Sequence, residues 1–236
     1  MARILKEDEH NAKRNEILDM AQHLIYTRGY EQMTIQDLLD GLHISRGALY
    51  HYFASKEALL RALVDRMAQV AEKGLRPIEQ DTHLTAIEKL RRFLEASASW
   101  KAGQKELISG LMRLWFSDEN AFIRHKMESE SRKRMAAFFE PIVRLGNAEG
   151  SFTVRYPRQV AAILAGVSLS LTDTLVELLI APQLDPAAKQ VAEDTLEVYV
   201  DTLERILGAP AGALHVFAPG AFDEWFAATQ PAPAAE

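Results

Sequence analysis

Thr34 to Lys56, TIQDLLDGLHISRGALYHYFASK, constrains this chain more than any other stretch, because two helix starts and one tight turn are compressed into it. Thr34 has the side chain of a helix N-cap, and Ile35, Leu38, Leu39 and Leu42 follow at the spacing of one buried helical face. Ser45 is a second N-cap, so about three residues separate two short helices, the turn length of a helix-turn-helix. The spacing predicts a second helix over Arg46 to Phe53, with Leu49 and Phe53 against the first helix. Its other face carries Arg46, Gly47, Ala48, Tyr50 and His51 in its first turns, where a recognition helix meets base edges in the major groove. An arginine pairs bidentately with guanine, small residues admit close approach, and a tyrosine hydroxyl donates to phosphate. Ser55 caps a third helix beside Lys56, so Ser45 and Ser55 each mark a start whose free N–H groups suit a phosphate.

An ordinary helical hairpin would show the same apolar spacing. Charge separates the readings: Ile44 to Lys56 holds Arg46 and Lys56 and no carboxylate, in a chain of net charge −6. That inversion favours DNA, although residues 1–66 as a whole carry nine basic and ten acidic side chains and give no general basic footprint. The rest of the acidity lies beyond residue 66, in the part that should stay off DNA.

Ile17-Leu18, Ala21, Leu24, Gly29-Tyr30, Thr34, Leu38, Ile44-Ser45-Arg46-Gly47, Leu49-Tyr50-His51-Tyr52-Phe53 and Ser55-Lys56-Glu57 together resemble the TetR/AcrR transcriptional regulators, over about Asn11 to Arg66. The resemblance implies an all-α homodimer whose N-terminal domain binds a palindromic operator and whose C-terminal domain binds a small-molecule inducer. It also implies DNA contacts by Thr34, Ser45, Arg46, Gly47, Tyr50, His51, Tyr52 and Lys56. One departure stands in the turn, where Leu42-His43 replaces the family's usual Ala-Gly; a histidine tolerates the left-handed backbone required there better than most residues.

Taken in order, residues 1–10 read as a flexible arm and 11–75 as the helix-turn-helix domain with its linking helix. That linking helix should start at Ser55 and stop before Pro77. Residues 82–207 read as a helical ligand-binding and dimerisation domain, with helices over 85–103, 107–116, 120–147, 157–181 and 186–207. Pro141 is a candidate kink in the third of these. Residues 208–236 form a Pro/Gly/Ala-rich extension, partly disordered, with a short helix near 221–228. Phe93, Trp100, Leu111, Met112, Trp115 and Phe139 supply large side chains for an apolar or amphipathic ligand, with Ser168 and Thr172 as polar contacts. Leu164, Leu171, Leu196, Tyr199 and Leu203 are the expected dimer contacts, since in the family the last two long helices build a bundle across the two-fold axis. Either set would look the same in sequence if it were simply core.

Enzyme signatures are absent or incomplete. Gly166-Val167-Ser168-Leu169-Ser170 begins like a nucleophile elbow but lacks the closing glycine and falls inside a helix. The seven histidines form no close ligand pair and no Gly-rich phosphate loop occurs, so neither metal nor cofactor is expected. There are no cysteines, which removes disulfides and thiol chemistry. No apolar run is long enough to span a membrane, and the charged N-terminus has no signal core, so the expected location is the cytoplasm. Two functions remain: a ligand-responsive repressor, or a helical ligand-binding or enzymatic protein whose helix-turn-helix is only scaffold.

Overall fold

The computed structural model describes residues 2–30, 32–104, 121–180, 186–215 and 222–223. The expected helices at 107–116 and 221–228, and with them Leu111, Met112 and Trp115, lie outside these residues. Among the described residues the fold is all-α, with eight helices: α1 (Ala2–Arg28), α2 (Ile35–Leu42), α3 (Arg46–Tyr52), α4 (Lys56–Gln80), α5 (Ala86–Gly103), α6 (Ala121–Glu149), α7 (Pro157–Ile180) and α8 (Pro186–Leu207). The chain folds as two compact units that divide within α4, between Val70 and Ala71. The first holds α1 to α3 with the start of α4, and the second holds α5, α7, α8 and α6 from Arg124 onward.

In the first unit Ile17, Leu18, Ala21, Leu24 and Ile25 of α1 are all buried, as their spacing requires. They meet Leu38, Leu39 and Leu42 of α2, Leu49 of α3 and Leu59, Leu60 and Leu63 of α4. Gly41 is part of this fit, because a Cβ there would come within 2.9 Å of Met20 Sδ. Arg66 pins α4 to α1 by donating to Asp19 at 2.6 Å and Gln22 at 2.7 Å.

Two boundaries differ from the sequence reading. Helix α1 begins at Ala2 rather than Asn11: residues 2–10 lack Gly and Pro, and six of the nine (Ala2, Arg3, Leu5, Lys6, Glu7, Glu9) are strong helix formers that continue a helix already nucleated downstream. Helix α4 passes through Pro77 to Gln80. Proline's fixed φ is helical and its missing N–H removes a single bond, and here the final turn is held from outside. The Pro77 carbonyl accepts from Asp81 N–H at 3.1 Å, and the buried Lys89 donates its ammonium to the Glu79 carbonyl.

The second unit is organised around Leu90, Phe93, Leu94, Phe139, Ile142, Val143, Leu164, Val200, Leu203 and Leu207. Helix α6 also continues through its proline, Pro141. Phe152 packs so tightly on Gly146 that a Cβ there would lie 2.0 Å from its ring. The Asn147 amide clamps Val154 in both directions, accepting from its N–H at 2.9 Å and donating to its carbonyl. At the far end the buried Glu204 carboxylate accepts from Gly212 N–H and Leu214 N–H, each at 2.8 Å. The first part of the C-terminal extension is thereby folded onto the core, with Leu214 and Phe222 buried.

Candidate nucleic-acid interface

Three caps fix the reading element in place. Thr34 accepts from Asp37 N–H at 3.1 Å, while the Asp37 carboxylate accepts from the Thr34 N–H at 2.8 Å, a reciprocal capping box. The Thr34 hydroxyl, donating to Asp37 Oδ2 at 2.7 Å, and then the Thr34 N–H, with Arg28 at 2.9 Å as a lesser contributor, hold the Asp37 carboxyl below its ordinary pKa. Ser45 caps α3 by accepting from Ala48 N–H at 3.2 Å, and Ser55 caps α4 by accepting from Ala58 N–H at 3.1 Å. Between the first two helices His43 adopts φ 52°, ψ 43°, the left-handed conformation its position in the sequence demanded. His43 N–H donates to Asp40 and Ile44 N–H to Leu39, so the turn is a complete Schellman motif with Ile44 packed on the core.

With the turn fixed, the two faces of α3 separate cleanly. Leu49 and Phe53 are buried, whereas Ser45, Arg46, Gly47, Ala48, Tyr50 and His51 are exposed. Tyr50 keeps 44% of its surface in solvent. Gly47 has no positive φ, and the nearest atom to an added Cβ is Ser45 Oγ at 4.0 Å, so nothing inside the chain requires a glycine there. The open space is on the outer side, where close approach by a partner's backbone would use it. Tyr52 is half-buried beside His51.

Lys56 is placed differently from a free phosphate contact. Its ammonium donates to the Tyr30 carbonyl at 2.9 Å and sits 4.2 Å from the Tyr30 ring centroid. Burial, with the Glu57 charge second, pushes the Tyr30 hydroxyl up to about 12. Thr34 is exposed, but its hydroxyl is committed to Asp37. Sequence reasoning also missed His10, which stacks on the end of α3; it lies in the stretch expected to be a flexible arm.

In the second unit the side chains expected at the dimer contact lie as follows. Leu164, Leu196, Tyr199 and Leu203 are buried in the chain's own core and Leu171 is half-buried against it, so their stripe faces inward. Among the described residues, the large apolar side chains left exposed on α7 and α8 are Ile163, Val191 and Val198. Of the residues expected at the pocket, Phe93, Trp100, Phe139, Ser168 and Thr172 lie within the described residues. Phe93 and Phe139 pack edge to face with ring centroids 5.0 Å apart, and the space they border with Leu90, Leu94, Leu164, Leu203 and Leu207 is about 10 Å³, room for one water. Ser168 is buried, donating to the Leu164 carbonyl and paired with the Tyr199 hydroxyl, both at 2.8 Å. Burial pushes that Tyr199 hydroxyl up to about 12. Trp100 is half-buried, and beside it Lys101 donates to Thr172 at 3.0 Å. Burial lowers the Lys101 ammonium to about 8. Asp173 is raised, first by burial and then by Glu128 and Glu177.

Among the described residues no group of side chains is arranged to hold a metal ion, and no helix is long and apolar enough to cross a membrane.

A capped short helix with a polar, carboxylate-free outer face, set behind a tight turn, defines a helix-turn-helix protein. Residues 17–63 match the family described as bacterial regulatory proteins, tetR family. The chain is 33% identical over 122 residues to an HTH-type transcriptional repressor, Rv1474c, of Mycobacterium tuberculosis, covering 44% of this chain and 65% of that protein. It is 31% identical over 129 residues to the HTH-type transcriptional regulator EthR of Mycolicibacterium smegmatis, covering 48% of this chain and 59% of that one. It thus spans less than two thirds of the length of either relative. The solved structure of a TetR-family transcriptional regulator from Pectobacterium atrosepticum shares the fold, with TM-score 0.60 and 17% identity over 86% of this chain and 98% of that one. A transcriptional regulator from Cytophaga hutchinsonii does so equally, with TM-score 0.60 and 16% identity over 83% and 98%. Residues 17–63 thus match the DNA-binding segment of the tetR family, and the chain shares the fold of the solved regulators.

Proposed function

We propose that this chain is a cytoplasmic, ligand-responsive transcriptional repressor that binds a palindromic operator as a homodimer and leaves it when a small molecule binds its second unit. The observation that carries the reading is the outer face of α3, where Arg46, Gly47, Tyr50 and His51 are exposed together. No carboxylate stands between Ile44 and Lys56. In this reading Arg46 pairs with a base edge, Tyr50 and His51 contact backbone or base, and Gly47 admits the phosphate backbone. Lys56 supports the site by holding Tyr30 and contributes charge to the phosphates from that fixed position. Thr34 and Ser45 act through the caps they form.

For the dimer we assign the exposed Ile163, Val191 and Val198 in place of the buried leucines. For the inducer we assign an amphipathic molecule whose polar end meets Lys101 and Thr172 near Trp100. A half-buried ammonium with a hydroxyl partner supports a polar contact there. Helix α4 is the element through which binding would be felt. Its later turns are tied to α6 by the Glu72–Arg134 ion pair and to α5 by Lys89, and its earlier turns to α1 by Arg66. An effector that favours one pose of α4 changes operator affinity by its differential affinity for the two poses, and operator must weaken the effector by the same factor.

The test is selection from a randomised DNA duplex library at two salt concentrations. A palindromic consensus, bound with an affinity that falls steeply with salt, supports the proposal. Binding without sequence preference, or none, refutes it.

A further inference from the structure

Helix α3 is only seven residues long, too short to hold its own conformation, so its orientation depends on what touches it. Its N-terminal end is set by Ser45 and by the turn at His43. Its C-terminal end runs out into extended backbone at Phe53, φ −138° and ψ 113°. Among the side chains that meet this end from α1 are His10 and Arg14, one helical turn apart. The His10 ring lies 4.7 Å from the Tyr52 ring, tilted by 34°, and 5.8 Å from the His51 ring, edge on at 82°. His51 and Tyr52 are themselves 5.3 Å apart and edge on. Arg14 sits 5.1 Å above the Phe53 ring.

His10 is exposed, so it contributes nothing to the apolar core, and its contacts go to two residues on the reading element. A three-ring contact of this kind fixes ring planes as well as distance, because offset and edge-on arrangements are favoured over others. We propose that His10 is a positioning residue for sequence recognition, locking the side chains of His51 and Tyr52 in the orientation in which α3 meets DNA. His10, in the third turn of α1 and within a stretch read from sequence as a loose arm, is then a brace of the recognition helix. This inference rests on the DNA-binding reading given above.

The test compares the full chain with His10→Ala and His10→Phe on the duplex most enriched from a randomised library. His10→Phe keeps a ring for stacking and removes the imidazole nitrogens. The expected results are a loss of roughly 2- to 12-fold in affinity with weaker discrimination against mismatched duplexes for His10→Ala, and near wild-type behaviour for His10→Phe. The slope of affinity against salt should be unchanged in both, since no phosphate contact is removed. Wild-type binding by His10→Ala overturns the proposal. So does a shallower salt slope with unchanged discrimination, which would make His10 a phosphate contact. A fall in His10→Phe as large as that in His10→Ala also overturns it. Amide exchange at residues 49–53 without DNA keeps the two readings apart. Faster exchange in His10→Ala supports the brace even where the wild-type chain selects no duplex and the regulator reading fails, and unchanged protection refutes the brace even where operator binding is intact.

Discussion

The reading element and the last two long helices carry equally regular apolar spacing, yet only the first declares which side faces a partner. In α3 the two sides differ in chemistry: Leu49 and Phe53 face inward, while Arg46, Tyr50 and His51 face out. In α7 and α8 both sides carry aliphatic residues, Leu164 and Leu203 inward, Ile163 and Val198 outward. Periodicity identifies a stripe but does not rank two stripes of similar hydrophobicity, and the wider one belonged to the chain's own core. A functional face is legible when its side chains are wrong for a core, and hidden when they are right for one.

The largest expected effect breaks or sustains that contrast on one helix. Leu203 is 4% exposed and Val198 64%. Leu203→Glu buries an unpaired charge and removes a core side chain, a loss of about 3–5 kcal/mol that should abolish cooperative melting of the second unit. Val198→Glu should leave the melting curve in place and shift sedimentation from dimer to monomer. If Val198→Glu remains a dimer, the outward stripe is not the interface.

Next in size is a pair of glycines. Gly146→Ala drives a methyl into the Phe152 ring and should destabilise by about 1–3 kcal/mol in thermal or urea unfolding. Gly47→Ala meets only open space and gains helix propensity, so stability should rise by about 0.5–1 kcal/mol while DNA binding falls. A Gly47→Ala protein that is both more stable and fully competent for DNA would remove close approach from the account.

The capping boxes provide a matched comparison, Thr34 with Asp37 in one unit and Thr85 with Glu88 in the other. Thr34→Ala and Thr85→Ala should each cost about 1 kcal/mol at neutral pH by urea titration. Hydrogen bonds from the capping threonines lower both carboxyls, so their contribution is present above the ordinary carboxylate pKa and is lost as pH falls through the depressed folded value. The penalty of each substitution should therefore shrink in acid. Lys101 runs the other way, since burial lowers it to about 8. The folded state binds fewer protons than the unfolded chain between there and the ordinary lysine value, so stability should rise with pH across that window. Lys101→Met should flatten the rise, and an unchanged profile would mean that solvent reaches the ammonium.

Much of the first unit could be read in advance because its signals are local. Thr34, Ser45 and Ser55 cap where their spacing requires, and His43 takes the left-handed conformation that a three-residue turn imposes. What escaped had non-local causes. His10 matters through His51 and Tyr52, far along the chain, and it sits in a stretch whose charge pattern resembles a frayed end. Pro77 failed to stop α4 because Lys89, from the next helix, satisfies a terminal carbonyl. The Lys101–Thr172 bond joins α5 to α7, a pairing that no spacing within either helix encodes.

The central claim is that the outer face of α3 reads DNA sequence, and Arg46 tests it most directly. Wild-type and Arg46→Ala chains would be measured on the selected duplex and on every single-base variant of it. The account predicts a loss of about 1–3 kcal/mol on the selected duplex and relaxed preference confined to one base pair in each half-site, with the fold unchanged by circular dichroism. A uniform loss over all variants, or an unaltered preference at every position, would contradict it.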